Sequence, residues 1–184
     1  MDQAKGNLEP VVLIGQQELA QRISELASEI SRDYAASDRL IAVGVLKGSV
    51  FFLTDLLKQL AIPVRVDFFQ TSSYGASTSP GEVRIVKDID LPIRGADVLL
   101  IEDIVDTGYT LRTILDLLKF RGARSVKLCA LLDKACRRVV DVPIDYRGFK
   151  IDDHFVVGYG LDYDEHYRNL PYIGIVPAEA VHSH

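Results

Sequence analysis

The chain has 184 residues, 48% of them hydrophobic, and a formal net charge of −5 at pH 7. This apolar content excludes a disordered chain, and the length suffices for one sizeable core without requiring a second domain. The acidic balance argues against non-specific nucleic-acid binding as the main task, because such binding needs a basic surface.

Cysteine usage and hydropathy favour a cytoplasmic protein. Cys129 and Cys136 fit neither a disulfide framework nor a Cys-x-x-Cys metal pair, so we expect two reduced thiols packed as small hydrophobic groups. No apolar run approaches membrane-spanning length, and the amino-terminal residues do not have the pattern of a secretion signal. We therefore expect no contact with a membrane.

Strands and helices alternate along the first half of the chain. Residues 11–14 are apolar, and residues 16 to about 34 have the periodicity of an amphipathic helix. Residues 39–46 predict a strand, and Lys47-Gly48-Ser49 then lead into a second helix that reaches Leu60. In the strand predicted for residues 63–70, Val64, Val66 and Phe68 would face inward.

The middle of the chain contains the strongest strand signal. Residues 71–81 are rich in Ser, Thr and Gly, which is typical of an exposed mobile loop, and residues 82–89 resume a strand pattern. The unbroken apolar run 98–101 predicts a strand buried on both faces. A helix to Arg121 follows, and Gly122 would end it.

After another buried strand over residues 125–132, the pattern weakens beyond Lys134 into short strands at 144–149, 155–157 and 172–176. Repeated β-α-β units predict an α/β protein with a mostly parallel sheet and helices on both faces. The two ends of the chain would pack over one edge of this sheet.

Two carboxylates, Glu102 and Asp103, follow the apolar run 98–101 directly. Adjacent carboxylates at the end of a buried strand are costly unless a cation meets them, and ligands of open α/β sheets bind at that edge. Mg²⁺ is the favoured cation because it prefers oxygen ligands. An ordinary acidic loop is the alternative, which this position disfavours.

Residues 106–110 bring hydroxyl groups and a glycine to the start of the next helix, where backbone amides can cradle an anion. A phosphate site would thus lie beside the metal site, which indicates a phosphorylated, metal-bound substrate. Asp106 is either a helix cap or a proton-transfer group, and its spacing does not choose between the two. Lys47 either reaches solvent or faces an anion at the sheet edge.

The run Val98 to Leu111 resembles the phosphoribosyl pyrophosphate motif of type I phosphoribosyltransferases. Further segments occur in the order seen in the hypoxanthine-guanine branch of that family: Leu46-Lys47-Gly48, Ser72-Ser73-Tyr74-Gly75, Leu131-Leu132-Asp133-Lys134, residues 155–163, and Arg168. The resemblance implies the fold of that family, a Rossmann-like, mostly parallel sheet flanked by helices. It implies one domain over residues 1–184, with a core of about 36–140 and a small hood from about 1–35 and 141–184.

The resemblance implies transfer of the 5-phosphoribosyl group of phosphoribosyl pyrophosphate (PRPP) to hypoxanthine, guanine or both, giving IMP or GMP in purine salvage. It implies Mg²⁺ as cofactor, held by Glu102, Asp103 and Asp162. Pyrophosphate would contact Lys47, Gly48 and Arg168, and the ribose would contact the two adjacent carboxylates. A cis peptide bond is expected at Leu46–Lys47.

The remaining roles that the resemblance implies concern the purine and the 5′-phosphate. Asp106 would accept the proton of purine N7 as general base, Lys134 would donate to O6, and Phe155 would stack on the ring. The 5′-phosphate would be wrapped by Asp106, Thr107, Gly108, Tyr109 and Thr110. The backbones of Val156 and Asp162 would bind the other purine edge, and Ser73 and Tyr74 would belong to a closing loop.

Two residues depart from the family pattern. His154 stands where some relatives have lysine, and we assign it no role. Asp133 stands where other relatives are apolar, and it could pair with Lys134 and tune its reach.

Partners and competing functions complete the expectations. The resemblance implies small-molecule substrates and a homodimer or homotetramer, without nucleic acid. Two other classes of function stay open: a PRPP-sensing or RNA-binding regulatory protein on the same fold, and a phosphatase- or kinase-like enzyme with Asp103 or Asp106 as nucleophile.

Overall fold

The computed structural model describes residues 9–73 and 83–177. The three helices of this part are α1 (Gln16–Asp33), α2 (Val50–Gln59) and α3 (Tyr109–Phe120). Its strands are β1 (Val11–Ile14), β2 (Leu40–Leu46), β3 (Arg65–Ser73), β4 (Val83–Lys87), β5 (Asp97–Val105), β6 (Ser125–Asp133), β7 (Tyr146–Lys150), β8 (Val156–Val157) and β9 (Ile173–Ile175). A short 3₁₀ helix, Ala135–Arg137, follows β6.

Six of these strands form the main sheet, in the order β4-β3-β2-β5-β6-β7. Every neighbouring pair is parallel except β3 and β4. The predicted mostly parallel sheet is therefore confirmed. A second, antiparallel sheet of order β1-β9-β8 joins strands from both ends of the described chain.

The central strand β5 supplies side chains to both faces of the main sheet, as its unbroken apolar run predicts. Leu99 and Ile101 pack in the core beneath α1 and α2, whereas Val98 and Leu100 pack in the core beneath α3. All four side chains are fully buried. Each contributes about 1.5–3 kcal/mol relative to an exposed side chain, so the strand is firmly held between the layers.

β5 is longer than its apolar run. Its parallel pairing with β6 continues through Glu102, which lies opposite Ala130, to Val105, which lies opposite Asp133. The expectation that Glu102 and Asp103 follow the strand is therefore wrong. They are part of it, because the backbone ladder continues where the apolar side chains stop.

The predicted inward face of β3 is only partly confirmed: Val64 and Phe68 pack against the core, but Val66 does not, and the other face is buried as well. Val66 is 44% exposed, whereas Asp67 and Phe69 are buried. The Asp67 carboxylate accepts the backbone N–H groups of Asp90 and Leu91, which holds the segment after β4 over that face. A buried carboxylate with backbone partners breaks the alternation that sequence patterning relies on.

Three further predictions have mixed outcomes. Residues 71–73 belong to β3, and residues 74–81 of the expected mobile loop lie outside the described residues. Gly122 has a φ of 84° directly after the end of α3, as a helix-ending glycine would. Cys129 is a buried free thiol as expected, but Cys136 is exposed, because it lies on the 3₁₀ helix.

Within the described ranges, no helix combines the length and apolar character that crossing a membrane requires.

Candidate active site

Three chain segments meet at Gly48, just beyond the end of β2. A β-carbon at this glycine would lie 1.6 Å from Oδ2 of Asp103, so the carboxylate occupies the space that any side chain would need. A β-carbon on Gly160 would lie 1.9 Å from the Gly48 carbonyl oxygen. These two contacts bring together the ends of β2 and β5 and the loop after β8, as the sequence predicts.

Among the described residues, no ion pair to either carboxylate on β5 offsets its desolvation, although the charge of Arg168 acts on Asp103. Oε2 of Glu102 is buried without a hydrogen-bond partner. Burial, and then the charge of Asp103, raise the pKa of Glu102 well above its usual value. Burial also raises the pKa of Asp103 to about 6, although its Oδ1 accepts the Ile104 N–H at 2.8 Å. This pair is the place in the site where a cation would relieve the most unfavourable charge.

Asp162, the third predicted metal ligand, is already engaged. Its Oδ1 lies 2.9 Å from Nη2 of Arg168, and its Oδ2 accepts the Glu165 N–H at 2.9 Å. The described residues contain no group of three or more His, Cys, Asp or Glu side chains placed to hold a metal ion. Glu102 and Asp103 could therefore hold Mg²⁺ only with further oxygens from water or a ligand.

The predicted pyrophosphate contacts are paired with Glu165, a residue that the sequence analysis missed. Nζ of Lys47 lies 3.1 Å from both Glu165 carboxylate oxygens, and Nη2 of Arg168 lies 3.3 Å from one of them. Hydrogen bonds from Lys47 and then Arg168 lower the pKa of Glu165. The only sequence signal was an acidic residue three positions before Arg168. The Leu46–Lys47 peptide bond is cis, as predicted.

The predicted phosphate loop ends at the start of α3. Gly108 is the N-cap of this helix, with a φ of 91°. The interpretation of Asp106 as the helix cap is therefore wrong, because the cap lies two residues later. Backbone N–H groups in the first turn of a helix lack intrahelical partners, so this turn can donate hydrogen bonds to an anion.

Asp106 itself offers an acceptor atom to a ligand. Its Oδ1 is buried and has no hydrogen-bond partner among the described residues, although the side chain as a whole is 40% exposed. Nε of Arg137 lies 3.6 Å from the same oxygen, which is an ion pair without a direct hydrogen bond. Arg137 is a second residue that the sequence analysis did not select, because nothing in its local pattern indicated this contact.

Lys134 points to the segment that carries the predicted stacking residue. Its side chain is 8% exposed, and its Nζ donates to the His154 carbonyl at 2.8 Å. The next residue, Phe155, is 41% exposed and contacts Tyr163 edge-to-face, with ring centroids 5.5 Å apart. The predicted purine-binding lysine is thus bonded to the residue before an accessible aromatic ring, and Val156, the residue after that ring, is buried.

Asp133 does not pair with Lys134, so that expectation is wrong. Its Oδ1 accepts a hydrogen bond from Nη2 of Arg138 at 2.6 Å, and its Oδ2 lies 2.8 Å from Nε of Arg147. The Asp133 carboxylate pairs with these two arginines because successive side chains along a strand point to opposite faces, which directs Asp133 away from Lys134. Of the predicted closing loop, Ser73 ends β3 and Tyr74 lies outside the described residues.

A family model for the phosphoribosyl transferase domain matches residues 13–164, which agrees with the fold and defines the class of the protein. The hypoxanthine-guanine phosphoribosyltransferase of Bacillus subtilis is 48% identical over 90% of this chain and 92% of its own. The hypoxanthine phosphoribosyltransferase of Haemophilus influenzae is 47% identical over 91% of this chain and 96% of its own. The chain belongs to the hypoxanthine-guanine phosphoribosyltransferase family.

Two further comparisons concern structure and length. A crystal structure of a hypoxanthine phosphoribosyltransferase from Staphylococcus aureus superposes over the whole of both chains, with a TM-score of 0.91 and 44% identity. The bifunctional protein TilS/HprT of Listeria innocua is 52% identical over 91% of this chain, which spans only 26% of that relative's length.

The uncompensated carboxylates predict a pH-dependent gain in stability for Glu102→Gln. In metal-free buffer at pH 8, we expect the substitution to raise the free energy of unfolding by about 1–3 kcal/mol, because a neutral amide is less costly to bury. Both carboxyls have raised pKa values, so their stabilising contribution is complete below about pH 4 and is lost as pH rises through the folded pKa. At pH 4 the gain should therefore vanish.

Urea denaturation with a chelator at both pH values measures this effect. Glu18→Gln is the control, because Glu18 is exposed on α1, and it should change stability by only a few tenths of a kcal/mol. An equal gain at pH 4 and pH 8 would show that the carboxylate charge is not the cause.

Proposed function

We propose that this chain transfers the 5-phosphoribosyl group of PRPP to hypoxanthine or guanine, releasing pyrophosphate and forming IMP or GMP in purine salvage. The observation that carries the proposal is the position of the partly buried Glu102–Asp103 pair on the strand that leads into the phosphate loop. Asp103 of this pair lies directly against Gly48. The relatives that match over nearly the whole chain bear the names of this activity.

The residues present fit Mg²⁺ as cofactor. Glu102 and Asp103 offer oxygen ligands whose pKa values are raised by burial, so a divalent cation would replace the protons that otherwise neutralise them. Bound Mg²⁺ would supply charge neutralisation for the pyrophosphate leaving group. Asp162 would join this role only when Arg168 turns from it to the pyrophosphate.

Binding of pyrophosphate would exchange one anion for another. Lys47 and Arg168 are paired with Glu165, so the pyrophosphate oxygens would take over the positions of that carboxylate. A guanidinium can bind phosphate oxygens in a bidentate manner. The 5′-phosphate would bind at residues 106–110, by backbone amides at the start of α3 and the hydroxyls of Thr107 and Thr110.

The purine would bind between Lys134 and Phe155. An ammonium group has three hydrogens. One of those on Lys134 goes to the His154 carbonyl, and Oδ1 of Asp153 lies 3.7 Å away, beyond hydrogen-bond distance, so a donor stays available for purine O6. A 6-amino base would leave this buried donor unpaired, which favours 6-oxo bases. Phe155 would stack on the ring, and the backbones of Val156 and Asp162 would bind its other edge.

Asp106 is suited to accept the N7 proton. Its buried Oδ1 has no hydrogen-bond partner, and it lies on the loop that would hold the 5′-phosphate. The N–H becomes more acidic as the purine gains positive charge while attacking an oxocarbenium-like ribose, so a carboxylate is a sufficient base. Ser73 and Tyr74 would close over the reacting atoms and exclude water.

Domain and assembly proposals follow from the family. We assign the catalytic core to about residues 36–140 and a small hood to about 1–35 and 141–184. A homodimer or homotetramer and a cytoplasmic location stay predictions.

The experiment that tests the function is an assay of nucleotide formation. Mg²⁺-PRPP is offered with hypoxanthine, guanine, xanthine or adenine, and products are separated by chromatography. We expect turnover of hypoxanthine or guanine and none of adenine. If PRPP binds but no base reacts, the chain senses PRPP instead, and retention of RNA across salt concentrations would then test that regulatory alternative.

The proton-acceptor role of Asp106 predicts a selective loss of turnover. Asp106→Asn keeps the size of the side chain but removes its basicity, so kcat should fall by about 10²- to 10⁴-fold with little change in KM for either substrate. Asp116→Asn, at an exposed position of α3, is the matched control and should keep wild-type kcat. Near-normal turnover of Asp106→Asn would reduce Asp106 to a structural residue.

The purine-binding role of Lys134 predicts an asymmetric effect on the two substrates. Lys134→Met keeps the apolar part of the side chain and removes the O6 donor, so KM for hypoxanthine should rise by roughly 10- to 100-fold. KM for PRPP should stay within about threefold. Steady-state kinetics measure both constants, and Lys119→Met, at an exposed position of α3, is the control. A larger rise for PRPP than for hypoxanthine would place Lys134 at the other substrate.

A further inference from the structure

Arg138 makes three hydrogen bonds at the point where the two proposed half-sites meet. Its Nε donates to the Asp106 carbonyl at 2.8 Å, and its Nη2 donates to the Val105 carbonyl at 3.1 Å. Nη2 also donates to Oδ1 of Asp133 at 2.6 Å. The side chain is only 15% exposed, so these bonds are partly shielded from water.

The acceptors of Arg138 belong to two different functional segments. Val105 and Asp106 form the junction between β5 and the phosphate loop, whereas Asp133 ends β6 immediately before Lys134. One guanidinium therefore joins the backbone that carries the proposed proton acceptor to the strand that carries the proposed O6 donor. The backbone bond from the Lys134 N–H to the Val105 carbonyl, at 3.0 Å, runs between the same two segments.

The residues that follow Arg138 continue the same contact. The N–H groups of Val139 and Val140 both donate to the Thr107 carbonyl at 3.0 Å. A β-carbon on Gly108 would lie 2.4 Å from the Val140 carbonyl oxygen and 3.1 Å from Cδ of Arg138, so the loop fits closely against this segment. Residues 138–140 therefore contact the end of β5 and the first part of the phosphate loop, from residue 105 to residue 108.

A guanidinium suits this position better than an ammonium. Its planar fork can direct separate N–H groups to two carbonyls and a carboxylate at fixed angles, whereas a lysine offers one nitrogen. Asp133, whose side chain is 4% exposed, supplies the compensating charge. Arg147 forms an ion pair with the other oxygen of the Asp133 carboxylate. The hydrogen bonds to the Val105 and Asp106 carbonyls are made by Arg138 and not by Arg147.

We propose that Arg138 is a positioning residue, which holds the backbone of Asp106 and Thr107 at a fixed separation from Lys134. It acts through these groups and does not contact substrate. The inference rests on the proposed function, because it assigns Asp106 and Lys134 to the two reacting halves. Its expected signature is a loss in turnover and in PRPP binding, since the loop that cradles the 5′-phosphate would shift.

Arg138→Met and Arg147→Met form a matched pair for the test. Both remove a guanidinium from Asp133, but only the first removes the bonds to Val105 and Asp106. We expect Arg138→Met to lower kcat by about 30- to 100-fold and to raise KM for PRPP, since a displacement of about 1 Å can cost 10²-fold in rate. Arg147→Met should stay within about threefold, and Arg138→Lys should recover part of the loss.

Hydrogen exchange gives a readout that does not depend on activity. The backbone amides of Val139 and Val140 should lose protection from exchange in Arg138→Met and keep it in Arg147→Met. The two variants are compared under conditions where urea denaturation gives them equal free energies of unfolding. Equal kinetic losses in the two variants, or unchanged protection in Arg138→Met, would overturn the positioning role. An inactive wild-type protein would contradict the proposed function instead. The hydrogen-exchange result would still test whether Arg138 holds residues 105–108 in place.

Discussion

The architecture of the site depends on two adjacent, partly buried carboxylates on the central strand β5. Glu102 and Asp103 lie on β5, whose preceding four residues are fully buried and whose ladder with β6 continues past both of them. The strand therefore fixes both side chains at this edge of the sheet. Desolvation raises the pKa of both carboxyls, and an added cation would offset the cost of their charge.

The cations around this pair are already provided with counter-charges from within the chain. Glu165 is held by Lys47 and Arg168, and Asp133 is held by Arg138 and Arg147. Among the described residues of the site, the charge is least balanced at the β5 carboxylates, whereas the Glu165 carboxylate pairs with Lys47 and Arg168. This arrangement complements a ligand that brings both a divalent cation and a polyvalent anion, as Mg²⁺-PRPP does.

Local patterns in the sequence predicted the fold and the β5–α3 segment, because hydropathy and turn residues act over a few positions. The other segments of the site were expected from the family resemblance. The apolar run 98–101 marked the central strand, and Gly122 marked the end of α3. The burial of Asp67 on the other face of β3 could not be predicted, since it depends on hydrogen bonds from residues more than 20 positions away. Glu165 and Arg138 were missed for the same reason, because their roles come from contacts between distant segments.

The glycines that bring the segments together also limit how this protein can be made more rigid. Replacing glycine with alanine often stabilises a protein by restricting its unfolded chain, provided that the folded backbone tolerates the added methyl group. At Gly48 that methyl group would collide with the Asp103 carboxylate, and at Gly160 with the backbone of Gly48 itself. Glycine-to-alanine substitutions at the centre of the site would therefore destabilise the protein. Such substitutions suit peripheral positions such as Gly15, where no atom lies within 4 Å of the added methyl group.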